Sequence, residues 1–443
     1  MKQDLRKEFF HYVSLNVLGM IGLSCYILAD TFFIAQALGP TGLAALNLSI
    51  SIYSVIHAMG LMIGIGGATK FNILYSQGDQ TGAQEIFTQA LKGAFLLGSF
   101  FFLAGLLTSR PLSILLGADG ETMAMTNTYL KTILIFAPCF LVNNVFLAFI
   151  RNDGNPNLAL AAMLTGSIGN IILDYIFMFA LGMGMFGAAL ATCLAPVMSI
   201  LVLFRHFQGP SNCRWRGSPW RLNQLLEIGG LGLASFITEL SSGVTLIVFN
   251  LTILKIAGNV GVAAYGIVAN LALVALATFT GVAQGLQPLA SRNHALGDTK
   301  ALSKTLQYGL FSALALAVGI YLVTRGFTEG IVRAFNSQGD PLLARLAKEG
   351  LTIYFAGFFW AGVNIVLAGF YSATERIRPS FWVSITRGGL AIIPLVLLLS
   401  QWLGMAGVWL SFPLAEGLTS LIGLGPLLRM RAARLAAEGQ SMG

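Results

Sequence analysis

Charge is scarce in this sequence. Only 10% of its 443 residues are Asp, Glu, Lys or Arg, and 56% are hydrophobic, whereas a soluble globular chain carries about 25% charged residues. That deficit excludes an ordinary soluble fold and marks an integral membrane protein. Cysteine is rare as well: Cys25, Cys139, Cys193 and Cys213 form no CxxC pair, so neither a zinc site nor a disulfide framework is indicated. The first three lie in apolar runs, where Cys serves as a small hydrophobe. No HExxH or nucleophile–base constellation is present, which argues against a membrane-embedded enzyme. No repeated selectivity-filter segment argues for a channel. After the charged N-terminus, MKQDLRKEFFHY, no short apolar run closes on a small-residue cleavage site, so the first apolar segment is expected to be a retained helix.

What the chain does have is long apolar windows. A bilayer crossing needs about 20 mostly apolar residues, and twelve such windows are legible, six in each half, from 12–37 to 405–428. The expected fold is therefore all-α. The formal charge of +8 would suggest nucleic acid in a soluble protein. Here it reads as topology, because Lys and Arg gather in cytoplasmic segments. Lys2, Arg6, Lys7, Lys70, Lys92, Arg151, Arg205, Arg214, Arg216, Arg221, Arg292, Lys300, Lys304, Arg376, Arg378, Arg429, Arg431 and Arg434 fall on one side, against Arg110, Lys131, Lys255, Arg325, Arg333, Arg345 and Lys348 on the other, so both termini are expected in the cytoplasm.

The halves repeat. "LGPTGLAAL" at 38–46 matches "AGNVGVAAY" at 257–265, "QGDQTGA" at 77–83 matches "LGDTKAL" at 296–302, and "GMFGAAL" at 184–190 matches "GMAGVWL" at 404–410. Six crossings per repeat make the repeats parallel, two lobes facing each other across a cleft, and rocking of one lobe on the other gives alternating access. The expected organisation is an N-terminal six-helix lobe over 1–207, a cytoplasmic linker over 208–224 and a C-terminal six-helix lobe over 225–443.

Polar residues inside these windows carry the chemistry. Asp30 lies one helical turn beyond Tyr26, and Asp174 one turn beyond Asn170, with Gly166 on the same face. A charged carboxylate in such a segment costs at least ~3 kcal/mol. The first six windows offer no embedded Lys or Arg to neutralise the two acids, so they should bind a proton or a metal cation. An oxygen-only donor set suits a hard ion such as Na⁺, and the same atoms carry protons equally well. Helix 4 adds Asn143 and Asn144, helix 6 adds Thr192, and helix 2 carries Asn47, Ser51 and Ser54 with His57 beyond. Polar glue between helices is the plainer reading for Thr192, Asn47 and Ser51, and His57 is expected to be a satisfied polar residue. At the repeat offset Asp30 corresponds to Phe249 and Asp174 to Pro394, while Asn144 keeps its type at Asn364, so ion chemistry is confined to the first lobe. In the second, Glu239 has no basic residue within a turn, and Arg387 and Glu416 are expected to pair.

These features together resemble the MATE (multidrug and toxic compound extrusion) family, and within it the bacterial multidrug exporters. The residues that carry the resemblance are "LADTFFIAQALG" at 28–39, "FIRNDGNPN" at 149–157, "GNIILDYIF" at 169–177 and Glu239. The resemblance implies an antiporter of the bacterial cytoplasmic membrane that exports organic cations and other amphipathic xenobiotics in exchange for H⁺ or Na⁺. It implies a first-lobe cation site of Asp30, Asn144, Asn170, Asp174 and Thr192, with Asp30, Asn170 and Asp174 as the Na⁺ ligands if Na⁺ is the ion. Substrate contacts are expected from Glu239, Tyr26, Asn47 and Ser51. No cofactor beyond the coupling ion and no nucleic acid are expected; the partners are small-molecule drugs and membrane lipids around a monomer. Two departures stand out. The family's early helix 1 proline is missing from "VSLNVL" at 13–18, leaving Gly19 and Gly22 to permit a kink. The stretch 352–371 lacks the helix 10 acid of a second-lobe sodium site. The alternative is a lipid-linked oligosaccharide flippase of the same superfamily, whose cavity would need several basic residues, where Arg387 alone is foreseen.

Overall fold

The computed structural model describes residues 4–336 and 340–440, so Lys2 lies outside the described residues, as do the side chains of Arg429, Arg431 and Arg434. The first helix, α1 (Leu5–Ser76), has 72 residues. At 1.5 Å per residue it would extend about 108 Å, against a hydrocarbon core of about 30 Å. It is divided at Gly39 (φ 65°, ψ −157°), a conformation that strains any residue bearing a Cβ. Pro40 follows at a helix start, where its missing N–H costs nothing. The chain folds back, and the hydroxyls of Tyr26 and Tyr53 meet across the hairpin at 3.2 Å.

The first half continues with α2 (Gln80–Leu107), α3 (Ser109–Leu115), α4 (Met123–Ile135), α5 (Ala137–Asn152), α6 (Pro156–Tyr175) and α7 (Gly184–Leu203). The second half repeats the series as α8 (Leu222–Ala295), α9 (Thr299–Gly326), α10 (Thr328–Phe335), α11 (Pro341–Ala356), α12 (Phe358–Ala373), α13 (Ile377–Ile385), α14 (Ile392–Leu403) and α15 (Met405–Gln440). Like α1, α8 is a hairpin, broken at Gly258 (φ 60°, ψ −156°). Helices α4 and α5 form one span bent by 49°, and α11 and α12 one bent by 43°. Asp79 and Asp298 cap α2 and α9 by accepting from Gly82 N and Ala301 N. Gly184 and Gly404 share positive φ at the starts of α7 and α15. The segments near 109–128 and 326–349 each begin with a short helix, α3 and α10. With both hairpins divided, the described residues make twelve crossings, six per half, and contain no strand.

Each half has its own apolar core, one built mainly from residues 34–228 and the other from 249–415. Phe9 and Val13 at the start of α1 are exceptions and pack into the second core. Large apolar side chains are exposed on the outer face of α2, among them Phe95, Phe100, Leu103 and Leu107, as a lipid-facing helix requires. The start of α1, which lacks the proline, keeps helical backbone angles through 13–22, and Gly19 and Gly22 lie in close approach to Met163 and Leu164 of α6.

The lobes meet at the end of the bundle where the hairpins begin and finish. There Gly66 and Gly232 face each other, a Cβ on either falling on the opposite backbone, and Gly281 and Gly285 sit against Val17 and Val13. Small residues let helix backbones approach this closely. Asn72 Nδ2 donates to Ser291 Oγ (2.7 Å), which lies 219 residues later at the equivalent repeat position. Gln287 Nε2 donates to Thr69 Oγ1 (2.7 Å). Glu8 holds Arg292 through two 2.7 Å bonds, and Lys70 pairs with Glu227 (2.6 Å) and Glu375 (3.0 Å).

Residues 209–221 join the lobes without regular structure, and they are moored to the first half. Asp153, in the turn between α5 and α6, accepts from His206 Nε2 (2.7 Å), Ser211 Oγ (3.1 Å), Asn212 N (2.9 Å) and Asn212 Nδ2 (2.7 Å). On α2, Gln89 donates to Pro219 O (2.7 Å), Lys92 to Ser218 O, and Thr88 Oγ1 accepts from Arg216 N (2.9 Å). Donor atoms of Asp153, His206 and Cys213 lie within 4.8 Å of one another, but the set is spent on the linker. The carboxylate already accepts four hydrogen bonds, and burial together with the Asp153 charge pushes the Cys213 thiol up, away from the ligating thiolate. Burial also acts to raise Asp153, but the bonds from His206 and Asn212 outweigh it and hold the carboxyl below its usual value. Replacing Asp153 by Ala strands these donors and should cost about 3 kcal/mol. Because folding lowers this carboxyl's pKa, the contribution is complete above an unfolded value of about 3.9 and is lost as pH falls through the folded one. Thermal unfolding in detergent should show a Tm gap between wild type and Asp153→Ala at neutral pH that narrows below about pH 4; equal Tm at neutral pH would remove the mooring role.

Candidate functional site

A cavity of about 270 Å³ lies between the lobes. Its first-lobe wall comes from α1, α5, α6 and α7, and its second-lobe wall from α8, Ile365 of α12 and Arg387. Much of the lining is soft or aromatic: Met20, Tyr26, Tyr53, Phe140 and Met163. Glu239, from the first arm of α8, is half-buried in this wall and, among the described residues, has no salt-bridge partner. Arg387 also lines the cavity but is neutralised: its Nε and Nη2 reach Glu416 Oε1 at 3.1 and 2.8 Å. Asn364 completes that group by donating to Glu416 Oε2 (2.7 Å) and accepting from Ser420 Oγ (2.9 Å). The pairing expected of Arg387 and Glu416 is therefore present. So is a satisfied His57, stacked on Tyr53 and within 3.4 Å of Asn144 Nδ2.

The first-lobe acids lie off the cavity. Asp174 and Asn170 are fully buried on α6, Thr192 is buried on α7, and Asp30 is 7% exposed on α1. In the amide orientation that satisfies both neighbours, Asn170 Nδ2 donates to Asp174 Oδ2 (3.1 Å) and its carbonyl accepts from Thr192 N (3.2 Å). Pro196, four residues after Thr192, has no N–H for the Thr192 carbonyl. Asp30 is carried by α1, which packs along α6. Asp30 Oδ1, Asp174 Oδ1 and Thr192 Oγ1 are all buried without a hydrogen-bond partner. A set of buried oxygens with unspent lone pairs and no cationic side chain can take a proton or a hard cation.

Two helices connect this pocket to the cavity. On α1, Tyr26 lines the cavity and Asp30 sits one turn on; on α6, Gly166 and Ser167 line it, with Asn170 and Asp174 the next turns along the same face. A π turn, Ile176–Ala180, begins two residues after Asp174, and the second half has its π turn at Thr386–Leu390, around Arg387. Such turns often mark functional positions in a helix.

Not every expected residue joins these groups. Asn144 lines the cavity and donates to Phe140 O (3.0 Å); its side chain meets His57 and bonds to neither acid. Asn47 is exposed, and Ser51 is half-buried without lining the cavity. The face of the second α1 arm that carries them turns away from the cleft, and Tyr53 and His57 occupy its inner side. Arg151 corrects a second expectation. Placed among the cytoplasmic charges on sequence, and so left out of the embedded cations, it is only 3% exposed at the end of α5 and lines the cavity. Nothing in its flanks, "FIRNDGN", signals this, since its burial is completed by Gln284 of the other lobe.

The MatE family model matches residues 17–176 and 234–398, more than half of the chain and portions of both lobes. The chain is 25% identical over 424 residues to the multidrug export protein MepA of Staphylococcus saprophyticus, covering 95% of this chain and 93% of that protein. It is 26% identical over 428 residues to MepA of Staphylococcus aureus, with the same coverage. Among solved structures, one described as the outward-facing conformation of a multidrug resistance MATE family transporter of the MOP superfamily superposes with a TM-score of 0.91 at 21% identity, covering 98% of each chain.

Proposed function

Since the chain belongs to the MatE family, we propose that it is a secondary active exporter that expels organic cations and other amphipathic compounds in exchange for H⁺ or Na⁺. One observation carries the reading: two buried, cation-free carboxylates, Asp30 and Asp174, lie one and two helical turns from a cavity shared by both lobes. The excess of Lys and Arg on one side supports a cytoplasmic position for the closed end and both termini, an arrangement in which the cavity faces outward. The protein acts as a monomer in a bacterial cytoplasmic membrane, with drugs and lipids as its small-molecule partners.

Asp30 and Asp174 carry the coupling ion, with Asn170 and Thr192 orienting Asp174. Loading the ion cancels negative charge between α1 and α6, which relieves repulsion and lets α1 shift. The same two helices hold Tyr26, Gly166 and Ser167 in the cavity wall, so that shift changes the substrate's surroundings. A ligand and an ion that favour different arrangements of one element exchange in this way. Glu239 supplies the counter-charge for a cationic substrate.

The test is efflux of a cationic dye from proteoliposomes with an imposed inward pH or Na⁺ gradient. Uphill dye movement with one of the two ions supports the exchange and identifies the ion; movement with neither overturns it. Glu239→Gln should weaken binding of cationic compounds about tenfold, ~1.4 kcal/mol, and leave neutral ones within twofold. Equal losses for both classes would remove the counter-ion role. The flippase reading needs several free cationic side chains for a pyrophosphate, and of the two cavity arginines Arg387 is already bound to Glu416.

A further inference from the structure

The segment that joins the lobes reads "RWRGSPWR" at 214–221. Its backbone is moored to α2, but most of its side chains are not engaged. Trp215 and Trp220 are 57% and 56% exposed, and both indoles lie against one ammonium. Lys92 Nζ of α2 is 5.9 Å from the centre of the Trp215 ring and 5.6 Å from that of Trp220. The same ammonium donates to Ser218 O, which fixes the turn between the two rings. Arg221 is occupied by Glu85 (2.7 Å). Arg214 and Arg216 are exposed, and neither has a carboxylate partner among the described residues. Arg214 Nε donates only to a carbonyl, Ser211 O (3.2 Å).

The height of this patch along the bundle follows from α2. The run of exposed apolar side chains on that helix starts at Phe95 and Leu96, one turn beyond Lys92. Gly93 packs against Leu225 at the start of α8, and Leu222 and Leu226 beside it are 69% and 65% exposed. The two tryptophans therefore stand where hydrocarbon gives way to headgroups, the level at which Trp is enriched in membrane proteins. Two guanidiniums without acidic partners are exposed at the layer of lipid phosphates. A phosphate matches the guanidinium fork, and the indoles offer apolar surface to the glycerol and the upper acyl chains. A zwitterionic headgroup brings its own cation to this basic surface, whereas an anionic one does not. We propose that the segment joining the lobes is a binding site for an anionic phospholipid, with Arg214 and Arg216 on the phosphate and Trp215 and Trp220 against the glycerol end of the chains. Such a site requires only that the chain spans a membrane and is independent of the exporter reading.

The experiment places the full chain in phosphatidylcholine nanodiscs that contain a minor share of one brominated lipid, either phosphatidylglycerol or phosphatidylcholine, with the bromines near the glycerol end of the chains. Bromine quenches nearby indoles, and subtracting the signal of Trp215→Phe/Trp220→Phe isolates the two linker tryptophans from the rest. In wild type, half-quenching of these two should need roughly tenfold less brominated phosphatidylglycerol than brominated phosphatidylcholine, in keeping with two basic residues at the surface. Arg214→Gln/Arg216→Gln should bring the two lipids level, and high salt should narrow the difference by screening. Arg214→Lys/Arg216→Lys should keep part of the preference, since an ammonium keeps the charge but not the fork. Equal quenching by the two lipids in wild type overturns the proposal, and so does a preference that survives Arg214→Gln/Arg216→Gln. Quenching by neither lipid overturns it too, because the segment would then stand clear of the headgroups. Soluble glycerol phosphate that abolishes the preference would mark a site for free phosphate and overturn the lipid assignment. Both arginine side chains are exposed, so the variants should fold; should they not, the wild-type comparison decides alone.

Discussion

Asp174→Asn should reduce gradient-driven efflux to the background of protein-free liposomes while leaving the fold intact. The carboxylate is fully buried, has no cationic partner and keeps Oδ1 without a hydrogen bond. Asparagine preserves its shape but cannot exchange a proton or offer a full charge to Na⁺. Replacing a buried unpaired charge by a neutral isostere removes a desolvation cost, so thermal stability should hold or rise. Binding of a cationic dye should survive, because Glu239 and the cavity lining are untouched. Wild-type efflux by this variant would sink the coupling role of helix α6, and a fall in Tm of several degrees would reassign Asp174 to structure.

Gly232→Ala should be comparably severe for a different reason. The added Cβ would fall on the Met62 carbonyl of the opposite lobe, and backbone atoms cannot swing aside as a flexible side chain can. The lobes must part at the end where they now touch, and Gly66→Ala should do the same against Ile228 O. Each half keeps its own core, so the protein should fold but populate the closed arrangement poorly. A penalty of about 3 kcal/mol would shift that population by roughly a hundredfold. Spin-label distances across this end should lengthen, and efflux should fall at least tenfold. Gly229→Ala is the control: it lies on the same arm of α8, and its Cβ would meet nothing. Unchanged distances and full transport in Gly232→Ala would mean that the two lobes need not close here.

Much of this was legible in the sequence. Matches such as LGPTGLAAL with AGNVGVAAY carried the duplication, and both contain the glycine on which a hairpin turns, Gly39 and Gly258. Asp30 and Asp174 stood out because charge in an apolar window has few explanations. Arg387 and Glu416 were pairable because both sat in windows with no other partner. Contacts made across the lobes were not legible. Arg151 looked like one more loop cation, because its burial depends on Gln284, distant in sequence. Asn47 and Ser51 misled because helical spacing shows which residues share a face but not which way that face points. Gly19 and Gly22 were open to a flexible or a packing use, and only the side chains of α6 opposite them decide for packing.

The mooring of residues 211–219 to Asp153 and α2 has a mechanical consequence. A tether fastened along most of its length, with Arg221 also held by Gln89 and Glu85 of α2, has almost no slack, so any relative rotation of the halves would be concentrated at a joint in the first turn of α8. The joint adjoins the closed end, close to the fulcrum, where a small angular change becomes a large displacement at the far rim of the cleft. A leash this short also prevents one half from reaching across to pair with the half of a neighbouring molecule, which protects a protein built from two similar units against exchanging them.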